Sequence, residues 1–169
     1  MGRLIAQYLE AFGSRILAFD PYCQGDPRPA EMVDLPTLLK QSDVVSLHAR
    51  LTRENHHLIG RKELALMKPT AVLINTARSG LVDEPALIEA LSQRRIMGAA
   101  LDVFETEPLP PASPLAELDN VTLTPHVAGS TIDAFRNSPI LMAGHLRRML
   151  QGESDAPIVN GVKPCILTG

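Results

Sequence analysis

The sequence has no tryptophan and only 4% aromatic residues, so aliphatic side chains must fill its interior. It has no run of basic residues and a formal net charge of −3, which argues against nucleic acid or an anionic membrane as a partner. No apolar stretch approaches the ~20 residues that a membrane-spanning helix needs. No charged segment leads into an apolar one at the N-terminus, so no secretory signal is read there. Cysteine is scarce. Cys23 and Cys165 lie far apart and fit no metal spacing, which suits idle thiols in a reducing cytosol and gives no expected metal site. These exclusions leave a cytoplasmic globular chain of 169 residues, 45% of them hydrophobic, enough for one domain with a core and part of a second.

The periodicity predicts alternating helices and strands. Leu4, Ile5, Tyr8, Leu9 and Phe12 recur at helical spacing from Gly2, and Gly13 is a natural stop. RILAF reads as a buried strand ending at Asp20, and PYCQGDPRPA, rich in Pro and Gly, as loop. A short helix around DLPTLLKQ leads to the strand DVVSLHA, and a longer polar helical stretch from Glu54 to Met67 leads to AVLINTA. DEPALIEALSQ has an acidic start and helical periodicity, IMGAALDV is strand, and FETEPLPPASPLAEL is irregular with one possible helical turn. VTLTPH is the last strand and feeds a helix from about Thr131 to Leu150, which Pro139 is expected to kink or divide. Nearly apolar strands alternating with helices imply a doubly wound α/β domain, a parallel sheet covered on both faces. Residues 1–150 make up this domain and 151–169 a tail.

In a doubly wound dinucleotide-binding fold, the last Gly of Gly-x-Gly-x-x-Gly opens the first helix. Gly2, preceded by Met1, occupies that position, while the two earlier glycines and the strand before them are absent. Asp20 follows the second strand at the distance expected of the carboxylate that holds the adenosine ribose hydroxyls; its charge would repel a 2′-phosphate and so favours NAD over NADP. The plainer alternatives are a helix start at Gly2 and an Asp-Pro turn at Asp20.

His48, Arg78, Asp102 and His126 each fall at or just after a strand's carboxyl end, where ligands bind in open parallel sheets. Hydride transfer between a nicotinamide and a 2-hydroxy acid needs a cation for the substrate carboxylate, a group titrating near neutrality, and a carboxylate to orient that group. Arg78, His126 and Glu107 can fill these three roles. Singly, each has a structural alternative: Arg78 a helix cap, Glu107 a solvated loop residue, His126 a strand end.

The runs FDPY, VSLHARLT, LINTARSGLVDE, AALDVFETEPL and TPHVAGST resemble the D-isomer-specific 2-hydroxyacid dehydrogenases, in order, from Gly2 to about Gly152. The resemblance implies an NAD-dependent oxidoreductase acting on a small 2-hydroxy or 2-oxo acid, with Arg78, Glu107 and His126 as catalytic trio. It further implies cofactor contacts at Met1, Gly2, Asp20, Thr76, Ala77, Arg78, Asp102, His126 and Gly129, with His48 close to the dinucleotide, and a homodimer. The sequence departs from the family at Arg50, where proline is usual, at His56–His57, where Thr and Arg are usual, and at Pro139. Transcriptional corepressors called C-terminal binding proteins resemble the same family and keep the trio, so an NAD(H)-sensing binding protein is an alternative; a non-catalytic fragment is another.

The family's substrate-binding domain and the first strand of its cofactor domain have no counterpart here. In the order 3-2-1-4-5-6 that strand is central, and RILAF and AVLIN are expected to flank its place, about twice the usual ~4.8 Å apart. Direct pairing of the two halves, a substitute strand from the tail segments PIVNGV and PCILTG, or a longer parent protein would each resolve this; the last is the expectation.

Overall fold

A computed structural model describes residues 1–23 and 26–152 of the chain. The chain divides into two compact units, Met1–His126 and a second that begins at Val127. The first unit opens with α1 (Gly2–Ala11), which ends as anticipated at Gly13. That residue takes φ 78°, a left-handed conformation that glycine adopts without a Cβ clash, and its N–H donates to the Glu10 carbonyl at 2.8 Å. RILAF contributes only β1 (Leu17–Ala18), which pairs in parallel with β2 (Glu31–Met32). Next come α2 (Leu35–Gln41), β3 (Val44–Leu47), α3 (Arg61–Leu64), β4 (Val72–Asn75), α4 (Glu84–Ser92), β5 (Gly98–Leu101) and β6 (Val121–Leu123). Short 3₁₀ turns stand at Ser79–Leu81 and Pro114–Glu117, the second of them the helical turn anticipated in that loop. Asp34 and Asp83 start α2 and α4 by accepting from the backbone N–H groups of Thr37 (2.7 Å) and Ala86 (3.0 Å), each ahead of a proline in the first turn.

The α/β class and the parallel pairing agree with the sequence, but the strands form two sheets. β1 and β2 make one, and β3-β4-β5-β6, all parallel, make the other. No ladder among the described residues joins RILAF to AVLIN, so the two halves do not pair directly. AVLIN, expected to flank the place of the missing strand, lies inside the larger sheet as β4, with β3 between it and the sheet's edge. Two residues in a Pro-rich stretch were too short a signal to count as a strand, and missing β2 shifted the strand count by one. The tail segments PIVNGV and PCILTG, and Cys165, lie outside the described residues.

Register explains where the core lies. Val45 and Leu47 of β3 align with Leu73 and Asn75 of β4, and these with Ala99 and Leu101 of β5, so all six side chains share one face. Every one is buried, beneath Leu39 of α2, Leu64 of α3 and Leu87 and Leu91 of α4. The opposite face carries Val44, Ser46, Val72, Ile74, Ala100 and Thr122, with Val44 55% exposed. Within this unit, then, the sheet is buried on one face across β3, β4 and β5, where burial of both faces was expected. α1 buries none of its residues, and Tyr8 and Phe12 stay exposed.

Two helical expectations change. Between Glu54 and Met67 only Arg61–Leu64 is α-helical. Ile59 is drawn into an extended bridge with Val82, accepting from Asp83 N–H at 3.0 Å and donating to the Leu81 carbonyl at 3.0 Å, and this pairing overrides helical propensity. In the second unit, α5 (Ile132–Leu150) runs through Pro139 as one helix, so the proline does not divide it. Thr131 caps it by accepting from Ala134 N–H at 3.1 Å.

Close packing at β5 leads to a test. A Cβ on Gly98 would stand 2.7 Å from the Asn120 carbonyl oxygen, a backbone atom that cannot swing aside. Gly98→Ala is expected to cost about 1–3 kcal/mol from overpacking, and Leu91→Ala about 2–5 kcal/mol from cavity formation. Gly144→Ala, in α5 with nothing within 4 Å of the added methyl, is expected to gain up to about 1 kcal/mol. Urea unfolding followed by circular dichroism distinguishes the three; a Gly98→Ala protein as stable as wild type would contradict the packing argument.

Candidate active site

Parallel pairing sends β3, β4, β5 and β6 out of the sheet at one rim. The segments that leave there begin at His48, Thr76, Asp102 and Thr124, so His48, Arg78, Asp102, Glu107 and His126 lie along that rim in the order of the strands.

At the end of β4 the buried Asn75 shapes the turn that carries Arg78. Its side-chain oxygen accepts from Ala77 N–H at 3.0 Å and its amide donates to the Arg78 carbonyl at 2.9 Å. These two bonds substitute for the strand ladder where it stops, and they leave the Arg78 side chain exposed with Nη1 on the Ala77 carbonyl at 2.6 Å. Asn75 was not among the residues singled out from sequence. An amide as the last residue of an otherwise apolar strand, just before a charged one, was the available signal.

The ends of β5 and β6 bring two of the three expected residues into contact. Glu107 Oε2 meets His126 Nδ1 at 2.7 Å, and Glu107 Oε1 accepts from Phe104 N–H at 3.0 Å. The hydrogen bond from His126, with that of Phe104 behind it, holds the Glu107 carboxyl below the usual carboxylate range. An ionised carboxylate only accepts, so Nδ1 carries the proton and Nε2 is left as the variable position. His126 itself sits at φ 54°, the left-handed region that costs a residue with a Cβ about 1 kcal/mol or more, with its N–H on the Thr124 carbonyl at 3.0 Å. Beside it lies a cleft of about 530 Å³ lined by Phe104, Glu107, Pro108, Leu109, Leu123 and His126 among others. Arg78 stands on the same rim but bonds to the Ala77 carbonyl and to neither member of the pair.

Asp102 is 2% exposed and accepts from the Thr124 hydroxyl at 2.5 Å, which ties the end of β5 to the end of β6. Thr124 is a second residue that sequence reasoning passed over. Thr76 is exposed and Ala77 half-buried on the β4 turn. At the other end of the rim, a Cβ on Gly2 would lie 3.3 Å from His48 Cβ, so the start of α1 closes onto the end of β3. The first turn of α1 contains no acidic residue and no side-chain cap, which leaves its leading N–H groups open to an anion. Burial, and then the ammonium of Met1, pull the His48 pKa down, while Ser46 Oγ lies 3.0 Å from its Nε2. Asp20 Oδ1 accepts from Tyr22 N–H at 2.9 Å, leaving Oδ2 facing solvent after β1. Gly129 belongs to the second unit, in a turn closed by Ser130 N–H on the Val127 carbonyl at 2.9 Å, and a methyl there would meet nothing within 4 Å. Among the described residues no group of three or more His, Cys, Asp or Glu is placed to hold a metal.

Two tests follow from this geometry. Glu107 has a lowered pKa in the folded chain, so its contribution to stability is present above the ordinary carboxylate value of about 4.3 and fades as pH falls through the folded value. Urea midpoints of wild type and Glu107→Gln should therefore differ most at neutral pH and converge in acid; a constant gap would show that the pair does not set this pKa. Asn75→Ala leaves the Ala77 N–H without its partner and the Arg78 carbonyl with only the Leu81 N–H at 3.3 Å, and is expected to cost about 1–3 kcal/mol, with the resonances of Ala77 and Arg78 shifting most in an amide NMR spectrum.

Comparison with known proteins supplies the context. The family profile described as "D-isomer specific 2-hydroxyacid dehydrogenase, NAD binding domain" matches residues 1–128. A glyoxylate reductase of Thermofilum pendens is 46% identical over 164 residues, which cover 95% of this chain and 48% of that protein. A D-3-phosphoglycerate dehydrogenase of Methanocaldococcus jannaschii is 42% identical, covering 95% of this chain and 31% of its own length. Among solved structures, a D-isomer specific 2-hydroxyacid dehydrogenase from Lactobacillus delbrueckii ssp. bulgaricus in its NAD-complexed form superposes with a TM-score of 0.85 at 34% identity, covering 94% of this chain and 52% of that one. The chain thus spans about half or less of the length of the relatives it matches. With the profile covering most of its length and the rim built as described, the chain belongs to the D-isomer specific 2-hydroxyacid dehydrogenase family and corresponds to its NAD-binding domain.

Proposed function

We propose that this chain serves NAD-dependent hydride transfer between a small 2-hydroxy acid and the matching 2-oxo acid, with Arg78, Glu107 and His126 as the residues that act on substrate. The observation that carries the reading is the Glu107–His126 contact of 2.7 Å on the rim beside Arg78, with the second carboxylate oxygen already held by Phe104 N–H.

The rim suits a dinucleotide. The uncapped first turn of α1, the close approach of Gly2 to His48 and the exposed Asp20 offer phosphate and ribose contacts, and Met1, Thr76, Ala77 and Asp102 are further proposed cofactor contacts within the same unit. The bound cofactor would supply or accept the hydride. The Arg78 guanidinium turns from the Ala77 carbonyl to hold the substrate carboxylate in a forked pair. His126 holds a proton at Nε2 and passes it to the carbonyl oxygen as that oxygen gains charge, or takes it from the hydroxyl in the reverse direction. Glu107 keeps the imidazole in one tautomer and stabilises its charged form, and the Phe104 N–H keeps Glu107 in place. The exposed apolar residues of α1 and its C-cap, among them Leu4, Tyr8 and Phe12, support a homodimer or further polypeptide against that face. The free exposed thiol of Cys23 supports residence in the cytoplasm, and no described helix is long and apolar enough to cross a membrane. Residues 1–150 are proposed as the cofactor domain and 151–169 as its tail.

Cofactor binding tests this directly. NADH titrated into the chain, followed by nicotinamide fluorescence, should bind at least about tenfold more tightly than NADPH, because Asp20 repels a 2′-phosphate, and Asp20→Asn should narrow that ratio. Equal affinity for the two would remove Asp20 from the proposed role. Glyoxylate-dependent NADH oxidation should fall by about 10²–10⁴ in His126→Ala; turnover that survived that change would displace His126 as the acid/base.

A further inference from the structure

Arg50 stands where the resemblance leads one to expect proline, and neither the fold nor the proposed chemistry explains it. Among the described residues its guanidinium meets no carboxylate, whereas those of Arg15, Arg28, Arg61, Arg94 and Arg95 each do. Its backbone, by contrast, is held firmly. Asn55 Nδ2 donates to the Arg50 carbonyl at 2.7 Å, and Asn55 Oδ1 accepts from Thr52 N–H at 2.7 Å. One amide side chain thus clamps the segment on both sides of Leu51, whose methyl group would lie 2.9 Å from a Cβ on Gly80. An exposed cation on a loop fastened at both ends is displayed in a fixed place rather than left on a free strand exit.

That place is the rim. His48 is in contact with Gly2 at the start of α1, and Arg50 lies two residues further on, about 7 Å along an extended chain. In β3 the buried positions are Val45 and Leu47, and just beyond its end His48, Ala49 and Arg50 are all exposed. A phosphate seated on the first-turn amides of α1 would therefore meet Arg50 from the β3 side. We infer that Arg50 is a cofactor-affinity residue that contacts the pyrophosphate of the dinucleotide, a role that rests on the NAD reading above. A proline at this position could supply shape but neither charge nor a donor. Arginine adds a forked, permanently charged donor suited to phosphate oxygens.

The test compares three probes by calorimetry on the full chain: NADH, ADP-ribose and adenosine, of which only the first two contain the pyrophosphate. In Arg50→Ala the Kd for NADH and ADP-ribose should rise about tenfold, as for loss of one charge-assisted hydrogen bond, while adenosine binding stays within about twofold. Arg50→Lys should recover part of the loss, and Arg50→Gln should behave like Arg50→Ala. The slope of log Kd for NADH against log salt concentration should become shallower in Arg50→Ala, because one charge contact is gone. An unchanged NADH affinity in Arg50→Ala would overturn the inference, and so would an equal loss for adenosine, which would indicate a disturbed fold rather than a lost phosphate contact. A wild-type chain that bound none of the three probes would instead overturn the NAD reading, and the inference with it.

Discussion

Parallel pairing is the constraint on which the rest of this structure depends. Because β3, β4, β5 and β6 run the same way and in register, every chain segment that leaves a strand at its carboxyl end emerges on one rim. Residues as distant in sequence as His48 and His126 are thereby set along a single line without any contact between them. An antiparallel sheet of the same strands would have divided them between two opposite edges. The packing beneath is correspondingly strict: Leu73, Leu87 and Leu91 are almost wholly buried, and Gly98 leaves no room for a methyl group. A rigid face under the sheet holds the rim above it still.

The rim itself is built by small polar substitutions for the ladder. Where β4 ends, Asn75 takes over the backbone bonding and aims Arg78; where β5 ends, Asp102 takes the Thr124 hydroxyl and ties in β6. The Glu107–His126 pair follows in the segments that leave β5 and β6, with a backbone conformation at His126 that the surroundings must enforce. Buried polar groups that are fully satisfied stiffen a site, and unsatisfied ones would weaken it. The order of these contacts, from buried Asn75 and Asp102 out to exposed Arg78 and His126, runs from those that fix geometry to those free to meet a ligand.

Much of this was legible in one dimension. Apolar strands alternating with amphipathic helices announced the α/β class, and Asp34-Leu-Pro and Asp83-Glu-Pro announced two helix starts, because capping is local chemistry. Arg78, Glu107 and His126 could be named because a hydroxy-acid dehydrogenase needs a guanidinium, a carboxylate and an imidazole, and each followed a strand. What escaped was short or non-local. β2 has two residues and no periodicity to detect, and without it AVLIN is expected beside the missing central strand, whereas it pairs on both sides as β4. The stretch from Glu54 to Met67 carries helical residues, yet Ile59 pairs with Val82, and that contact is invisible until the chain has folded.

The sequence by itself determined the class of fold, the starts of its helices and the chemical types placed after each strand, since these follow from spacing and local bonding. Only the tertiary structure decided that Glu107 and His126 touch while Arg78 bonds to the Ala77 carbonyl, that one face of the sheet is buried and the other half open, and that His48 meets the start of α1. Those outcomes depend on register, on which strand neighbours which, and on loops that meet across the rim. Such pairings join residues by distance in space, and a linear order of residues does not specify that distance.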